Sequence, residues 1–333
     1  MDTRRILETF LAAGGAAVSG DKLARSLGVS RVAVWGRLER LRAEGFVFEA
    51  APRVGYRLVA TPPVLHGDLL AALLAEAGTP PATLRCPASV DSTNDAVERL
   101  LTAGEPAPVV VATGEQTAGR GRHGRPWLGT VAGNVCISFG FRPALPPERM
   151  RAVTLAVGLR LCERLRGRFG APLQIKWPND LQWRGRKVAG ILTEARVDAD
   201  RIRDVVVGVG LNVRSRCADF PSELRDTVAT LAEAAAGSAP PDVNLAAAEC
   251  AAAVLTAFAD YEREGLGADF GERWARLDAL AGRRVASRSI TGGVGVSGIA
   301  EGVDADGALR VRDAAGAVHA LDSGEVTLAP PVA

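Results

Sequence analysis

The stretch KWPNDLQWRGRKVAGIL, residues 176–192, decides the fold class of this 333-residue chain. A strand is predicted over residues 173–177, and residues 181–192 form two further apolar strands around a turn at Arg184 and Gly185. Strands joined by so short a turn run antiparallel, whereas parallel strands need a long crossover connection. The sequence therefore predicts an α+β fold with a mixed sheet.

Segments on both sides of this hairpin extend the same domain. Apolar runs and helical periodicity predict strands at residues 109–113, 134–141 and 205–213, and helices at residues 69–77, 148–169 and 244–265. The Pro-containing segment at residues 61–67 has the composition of a linker. We therefore expect one central domain over residues 68–280.

The first 60 residues predict a winged helix-turn-helix domain. A helix is expected at residues 4–13, and a second short helix ends at a turn on Gly28. Ser30 is a candidate N-cap for a third helix, which Gly45 stops. Residues 46–59 then alternate around a turn, which is typical of a two-stranded wing.

Positive charge is concentrated in this N-terminal domain. Residues 1–60 contain ten Lys/Arg and six Asp/Glu, so they carry +4 within a chain whose net charge is +2. Such a local excess favours contact with nucleic acid, whereas the whole chain offers no basic field. The candidate DNA-binding residues, at the start of the third helix and on the wing, are Ser30, Arg31, Trp35, Arg37 and Arg53. The alternative is a winged helix used only for packing or dimerisation.

The sequence pattern changes over residues 281–333. Short alternating segments are separated by the turn sequences DADG and DAAG. This pattern predicts a small β-barrel-like domain of about fifty residues, which would need support from the central domain.

Composition restricts the class of protein. Hydrophobic residues make up 47% and charged residues 23%, which is ordinary for a globular chain. The five cysteines are scattered and the three histidines are dispersed, so we expect reduced thiols and no protein-built metal site. We predict neither a signal peptide nor a membrane span, and therefore a cytoplasmic protein.

The loop GRGRHG, residues 119–124, satisfies the dinucleotide pattern G-x-G-x-x-G but lacks its context. Pro126 follows where a helix should begin, and no Asp or Glu occurs between Gly119 and Glu148. Arginines at 120, 122 and 125 instead favour a loop that becomes ordered over a phosphate or carboxylate. Trp127 offers a plane on which a purine could stack. A solvated basic loop is the alternative.

Lysine is rare in this chain, and two of the three lysines lie in the deciding stretch. Among 40 basic residues only Lys22, Lys176 and Lys187 are lysines. We therefore expect these positions to need a compact ammonium that the planar guanidinium of arginine cannot replace. Pro178 makes Asn179 and Asp180 project from a strand end. A carboxylate there could orient Mg²⁺ or accept a proton, although Asn-Asp after Pro is also a common turn.

Five motifs in order resemble biotin protein ligases of the bifunctional kind that also represses biotin synthesis. They are STN (92–94), EQTAGRGRHGRPW (115–127), KWPNDL (176–181), KVAGIL (187–192) and GVGLNV (208–213). With the winged front end and the small β-domain, the resemblance covers nearly the whole chain. His123 departs from it, since arginine is often found there.

The resemblance implies a central domain similar to class II aminoacyl-tRNA synthetases and an SH3-like C-terminal barrel. It also implies an ATP-dependent ligase that forms biotinyl-5′-AMP and transfers biotin to a lysine of the biotin carboxyl carrier protein of acetyl-CoA carboxylase. Mg²⁺ would accompany ATP. The adenylate-bound homodimer would bind operator DNA.

Residue roles follow from the same resemblance. The implied catalytic residues are Arg120, Arg122, Lys176, Asp180 and Lys187. The implied biotin-binding residues are Ser92, Thr93, Asn94, Gln116, Gly119, Arg120, Gly121, Arg122, Lys187 and Gly190. The implied ATP-binding residues are Arg122, Trp127, Asn179, Lys187, Asn212 and Arg283. Three alternatives stay open: a ligase whose winged domain does not bind DNA, a transcriptional sensor without turnover, and a lipoate-type ligase.

Overall fold

A computed structural model describes residues 3–51, 54–144, 146, 150, 152–198, 201–235, 240–288 and 295–328. These residues form three sheets of two, five and seven strands, one for each expected domain. Arg53, and the predicted helix start at Glu148, lie outside the described residues.

The N-terminal domain has the winged helix-turn-helix arrangement. Ser30 caps the third helix by accepting a hydrogen bond from the backbone N–H of Ala33 at 3.2 Å, and Gly28 makes the preceding turn with φ 63°. The elements are α1 (Thr3–Ala12), α2 (Gly20–Leu27), α3 (Arg31–Ala43), β1 (Val47–Ala51) and β2 (Gly55–Ala60).

The central domain is built on the seven-stranded sheet. Its strands are β3 (Thr83–Arg85), β4 (Val109–Thr113), β5 (Asn134–Phe141), β6 (Gln174–Lys176), β7 (Asp180–Trp183), β8 (Arg186–Asp198) and β9 (Arg201–Asn212). They lie in the order β3-β4-β5-β9-β8-β7-β6, and only the β3–β4 pair is parallel. The predicted mixed sheet is confirmed, with the β7–β8 hairpin turning at Arg184, whose φ is 50°.

The central domain also has helices, several of which pack on this sheet. They are α4 (Gly67–Glu76), α5 (Thr93–Thr102), α6 (Val153–Phe169), α7 (Leu231–Ala234), α8 (Val243–Glu264) and α9 (Phe270–Ala275). Helix α8 passes a length and composition test for a membrane span, but 72% of its apolar window is buried inside the fold. Its small alanine side chains pack against α6 and the sheet, so it is a core helix here.

The C-terminal domain is a five-stranded antiparallel sheet in the order β13-β12-β11-β10-β14. The strands are β10 (Arg284–Arg288), β11 (Ser297–Val303), β12 (Leu309–Arg312), β13 (Val318–Leu321) and β14 (Glu325–Leu328). It leans on the central domain as expected, because the indole N–H of Trp177 donates to the Gly307 carbonyl at 3.1 Å and the two domains share one core cluster.

The predicted linker is tied to the central domain. The side chain of Asn244, near the start of α8, accepts from the His66 N–H at 2.7 Å. Its amide nitrogen donates to the carbonyls of Pro62 and Val64 at 3.2 and 3.0 Å. Thr61 also donates to Asp242. The connection is therefore docked along its length onto the start of α8.

Candidate active site

Two neighbouring cavities open at the same end of the seven-stranded sheet. The first, of about 50 Å³, is lined by Ser92, Thr93, Asn94, Gln116, Arg120, Gly121, Arg122, Trp127, Cys136, Asn179, Lys187, Gly190, Ile191, Leu192, Gly208, Val209 and Gly210. The second, of about 480 Å³, includes Arg122, Trp127, Lys176, Asn179, Asp180, Lys187, Asn212, Asp226, Gly324 and Glu325 in its lining. Most residues that the sequence singled out are thus brought together around two adjoining spaces.

The floor of the first cavity is a neutral hydrogen-bonding network. Thr93, at the start of α5, donates to Gln116 Oε1 from its backbone N–H at 2.7 Å and from its hydroxyl at 2.9 Å. Both residues are buried, as is Ser138, whose hydroxyl lies 2.7 Å from Thr93 Oγ1. Ser92 caps α5 by accepting from the Asp95 N–H at 3.3 Å. Fixed dipoles in a buried floor suit a polar but uncharged ligand group.

Asn94 is held from two sides at the edge of this floor. Its amide nitrogen donates to Glu194 at 2.5 Å, and its Oδ1 accepts from Ser138 at 2.6 Å. A Cβ on Gly208 would lie 2.3 Å from the same oxygen. The close contact of Asn94 with β9 therefore requires glycine at 208.

Trp127 lies across the two glycines of the central strands. A Cβ on Gly210 would lie 2.1 Å from the indole of Trp127, and a Cβ on Gly190 would lie 3.3 Å from it. The indole thus fills space above β8 and β9 and lines both cavities. Cys136 lies below it, where burial raises the pKa of its thiol to about 12. That thiol is a neutral part of the cavity wall.

Lys187 stands where the two cavities meet. Its ammonium lies 2.8 Å from Asp180 Oδ1 and 5.5 Å from the centroid of the Trp127 ring. Its backbone is fixed by hydrogen bonds of 2.8 Å to Thr227 and Ala229. An anion that bridges the two spaces would therefore meet a positioned cation.

Asn179 and Asp180 have different contacts. The amide of Asn179 donates to the Ile191 carbonyl at 2.8 Å, and its Oδ1 accepts from Arg122 at 3.3 Å. Asp180 begins β7 and holds the Lys187 ammonium. Asn179 thus connects the turn to β8, whereas Asp180 positions the ammonium of Lys187.

Each arginine of the Gly119–Gly124 loop region has a partner in the protein, so these side chains are not free cations in this structure. Arg120 makes a two-bond ion pair with Asp95, and this contact lowers the pKa of that carboxyl. Arg125 pairs with Glu325. Arg122 also donates to the Gly324 carbonyl at 3.3 Å, and burial lowers the pKa of its guanidinium.

The loop backbone lacks the helix that a dinucleotide loop needs. Three residues from Arg122 form a single 3-10 turn, and residues 125–133 continue without an α-helix. Gly119 does not line the first cavity, but a Cβ there would lie 2.4 Å from Gln116 Nε2. It therefore permits the loop to cross the floor network.

Two predicted ATP-binding residues have less direct positions. Asn212 lines the second cavity, yet its amide nitrogen is engaged by the carbonyls of Lys187 and Ala229 at 3.4 and 3.3 Å. Arg283 is exposed and lines neither cavity. The structure thus does not bring Arg283 to the site.

Some site residues were missed by sequence reasoning. They are Ser138, Glu194, Gly208, Gly210 and Asp226. The glycine alternation in GVGLNV was the available signal, because repeated glycine in a strand marks close approach of another group.

The described residues hold no cluster of three or more His, Cys, Asp or Glu side chains suited to a metal ion. Asp180 and Asp226 are carboxylates that line the second cavity.

The predicted DNA-contact residues divide by position. Ser30, Arg31 and Trp35 are exposed, whereas Arg37 is half-buried and its Nη1 is enclosed. Arg37 is therefore less accessible to DNA than the other three residues.

Three family profiles match separate parts of the chain. Residues 3–57 match "HTH domain", residues 86–212 match "Biotin/lipoate A/B protein ligase family", and residues 281–328 match "Biotin protein ligase C terminal domain". The three matches follow the same order as the three sheets.

Named relatives match between two thirds and nearly all of the chain. "Bifunctional ligase/repressor BirA" of Escherichia coli is 31% identical over 318 residues, which cover 96% of this chain and 95% of that protein. The protein of the same name from Bacillus subtilis is 36% identical over 231 residues, covering 69% and 70%. The solved structure of "Biotin protein ligase from Aquifex aeolicus in complex with biotin and ATP" superposes with a TM-score of 0.62 at 25% identity, covering 74% of this chain and 98% of that one.

Proposed function

Because the chain belongs to the biotin protein ligase family and is a biotin–protein ligase, we propose that its two cavities divide the reaction between them. The first cavity takes the ring end of biotin, and the second takes the phosphates of ATP. The observation that carries this division is the position of Lys187, which lines both cavities and is fixed by Asp180.

The first half-reaction joins the two substrates where Lys187 stands. A carboxylate oxygen of biotin attacks the α-phosphorus of ATP, the bond to the β-phosphate oxygen breaks, and pyrophosphate leaves. Both reactants are anions, so cations fixed in place beforehand stabilise the transition state, each by about 3 kcal/mol. Lys187 and Arg122 line both cavities, and Lys176 adds charge on the phosphate side.

The second half-reaction transfers biotin. The amine of an acceptor lysine attacks the acyl carbon, the bond to the phosphate oxygen breaks, and AMP leaves while the amine loses a proton. The acceptor we propose is the biotin carboxyl carrier protein of acetyl-CoA carboxylase, since a Mycobacterium tuberculosis relative that is 32% identical over 246 residues is named "Biotin--[acetyl-CoA-carboxylase] ligase". We also propose that the enzyme meets this acceptor in the cytoplasm.

The neutral floor of the first cavity favours biotin over a lipoyl group. The ureido ring of biotin has N–H and C=O groups that can exchange hydrogen bonds with Thr93, Gln116 and Asn94. A dithiolane ring has none, so it could form no hydrogen bond with this polar floor, and a site that hydrogen-bonds its substrate discriminates against an analogue that lacks those groups.

Mg²⁺ fits as a companion of ATP. It prefers oxygen ligands and usually keeps several waters while it binds phosphates and one or two carboxylates. Asp180 and Asp226 are the carboxylates we propose to hold it in the second cavity, where it would neutralise the leaving pyrophosphate.

The ligase proposal is tested with the full chain, labelled biotin, ATP, Mg²⁺ and a carrier domain that bears the acceptor lysine. We expect labelled carrier and one pyrophosphate for each biotin transferred. Octanoate or lipoate in place of biotin should yield no product above background. Equal use of lipoate would overturn the assignment of the first cavity.

Replacing Thr93 by valine should weaken biotin binding about tenfold to a hundredfold. The change keeps the side-chain shape but removes a buried hydroxyl between Gln116 and Ser138, and an unpaired buried polar group costs about 1–3 kcal/mol. Titration calorimetry with biotin alone measures the effect. Thr102→Val, at the exposed far end of α5, is the matched control and should bind normally.

Replacing Arg120 by alanine should release preformed biotinyl-adenylate about tenfold faster. Arg120 lines the first cavity, and a hydrogen bond from a charged donor contributes about 1.5–3 kcal/mol. A filter assay with labelled adenylate measures the release rate. Arg99→Ala removes a similar exposed pair, with Asp91 at 2.8 Å, that does not line the cavity. Equal release from both variants would contradict a role for Arg120.

We further propose that the protein is a biotin-responsive repressor that binds operator DNA as an adenylate-bound homodimer. The winged domain and the relatives named "Bifunctional ligase/repressor BirA" support the DNA role. A sheet edge supports the dimer, because pairing of β8 with β7 ends at Gly190 while β8 continues to Asp198. Such an edge can pair with a second copy.

Sedimentation velocity and gel shifts test this second function. We expect monomers that become dimers when biotin and ATP are added together, and a shift of operator DNA under the same condition. An active ligase that gives no ligand-dependent shift of operator DNA would refute the repressor function but not the ligase function.

A further inference from the structure

The recognition helix α3 carries exposed apolar side chains. Val32 is 77% exposed, the highest value among the large hydrophobic residues in the described chain, and Trp35 is 55% exposed. Single exposed apolar side chains are ordinary, but two large ones on the same helical turn form a patch that a partner can cover. The question is what that partner is.

The exposed residues share one face of α3. Val34, Leu38 and Leu41 are buried against the domain, whereas Arg31, Val32 and Trp35 face away from it. Trp35 follows Val32 by three residues and Arg31 by four, so its side chain neighbours both of them on the helix surface. This face is therefore a compact surface of one cation, one aliphatic group and one indole.

Gly36 leaves room beside this surface. It follows Val32 by one helical turn, and a Cβ placed on it would meet nothing within 4 Å. Glycine inside a helix is destabilising relative to alanine, so an open site with no steric need for glycine indicates a close approach from outside. A bulky partner can lie flat along the Val32 side of α3.

The charges around the surface favour a polyanion. Lys22, Arg25 and Arg40 are exposed, and none has a carboxylate within ion-pair distance among the described residues. Arg31 has only a loose contact with Asp21, at 3.4 Å with both side chains mostly exposed. A protein partner would usually bring less negative charge than duplex DNA, which has phosphates on both sides of the major groove.

We propose that Val32 and Trp35 contact the C5-methyl groups of thymines in the major groove, so that this protein recognises its DNA site partly through apolar contacts. The proposal rests on the DNA-binding role proposed above. The thymine methyl is the apolar group on a base edge in that groove, and the first turn of a recognition helix is the part that reaches the bases. Arg31 and the neighbouring cations would hold the phosphates.

The size of the effect follows from burial of one methyl group. Removing a single buried methyl from an interface lowers affinity about fourfold. Val32→Ala removes two methyls and should lower affinity for a thymine-containing site about tenfold. It should have no effect on folding, since the side chain is exposed.

The experiment selects duplexes from a random library with the full-length protein, biotin, ATP and Mg²⁺. Each thymine of the selected site is then replaced in turn by deoxyuridine, which lacks only the C5-methyl. We expect one or two positions where this change weakens binding by the wild-type protein about fourfold. The Val32→Ala protein should be insensitive to deoxyuridine at the position that Val32 contacts.

Val64→Ala is the matched control, because Val64 is 64% exposed but lies in the linker. It should bind and respond to deoxyuridine like the wild type. Trp35→Ala should lose the second methyl contact without changing the first.

Three results would overturn the inference. If the selected site tolerates deoxyuridine at every thymine, methyl recognition is refuted but DNA binding is not. If no DNA is selected while ligase activity is normal, both methyl recognition and DNA binding are refuted. A Val32→Ala protein that binds DNA normally but changes its sedimentation behaviour would make this face a contact between protein chains.

Discussion

Replacement of Lys187 by alanine should lower the rate of biotinyl-adenylate formation about 100- to 1000-fold, the usual loss when a positioned charge-stabilising donor is removed. The ammonium lines both cavities and is aimed by Asp180 at 2.8 Å. No other lysine lines the first cavity, and Arg122 is held by Asn179 and Gly324. Single-turnover release of pyrophosphate measures the effect.

Two controls separate chemistry from folding. Lys22→Ala removes an exposed lysine of the winged domain and should leave ligation unchanged. Lys187→Arg keeps the charge on a planar group, which cannot occupy the position of a compact ammonium, so it should restore only part of the rate. A Lys187→Ala enzyme within threefold of the wild type would refute the central role of this residue.

Replacement of Gly210 by alanine should lower biotin affinity about tenfold to a hundredfold, since overpacking a filled site costs about 1–3 kcal/mol. The new methyl would lie 2.1 Å from the indole of Trp127. The first cavity has room for only a few water molecules while that indole lies over Gly210 and Gly190. Biotin entry therefore requires the indole to move, and the methyl would occupy the space that it vacates.

Calorimetry with biotin alone measures this loss, and thermal unfolding reports on the fold. Gly167→Ala is the matched control, since a Cβ there meets nothing within 4 Å and its helix α6 lies outside both cavities. It should bind biotin normally and unfold at the same or a slightly higher temperature. Normal biotin binding by Gly210→Ala would show that the ring does not approach β9.

Local patterns predicted the elements that depend on neighbouring residues. The hairpin of residues 181–192, the cap at Ser30 and the turn at Gly28 are each fixed within a few positions along the chain. The missed helix α5 also had a local signal. Ser92 followed three residues later by Asp95 is a capping pattern, and Val97 and Leu101 make an apolar stripe.

Contacts between distant segments could not be predicted in this way. Arg120 and Asp95 are 25 residues apart, and Arg125 and Glu325 are 200 apart. No periodicity links such positions, so the sequence predicted a loop that becomes ordered over an anion but not the ion pairs that its arginines make within the protein. The resemblance implied that Arg283 binds ATP, but the residue lies exposed just before β10, where the docking of the C-terminal sheet sets its position.

The docked connection between the first two domains limits how the protein could use DNA. Because four hydrogen bonds hold residues 61–66 against α8, the winged domain cannot rotate freely relative to the central domain. In the proposed dimer, the interface between protomers would then fix the distance and the relative orientation of the two winged domains. Half-sites moved by half a turn of the duplex would present their grooves on the wrong side, so spacing as well as base sequence would define the operator.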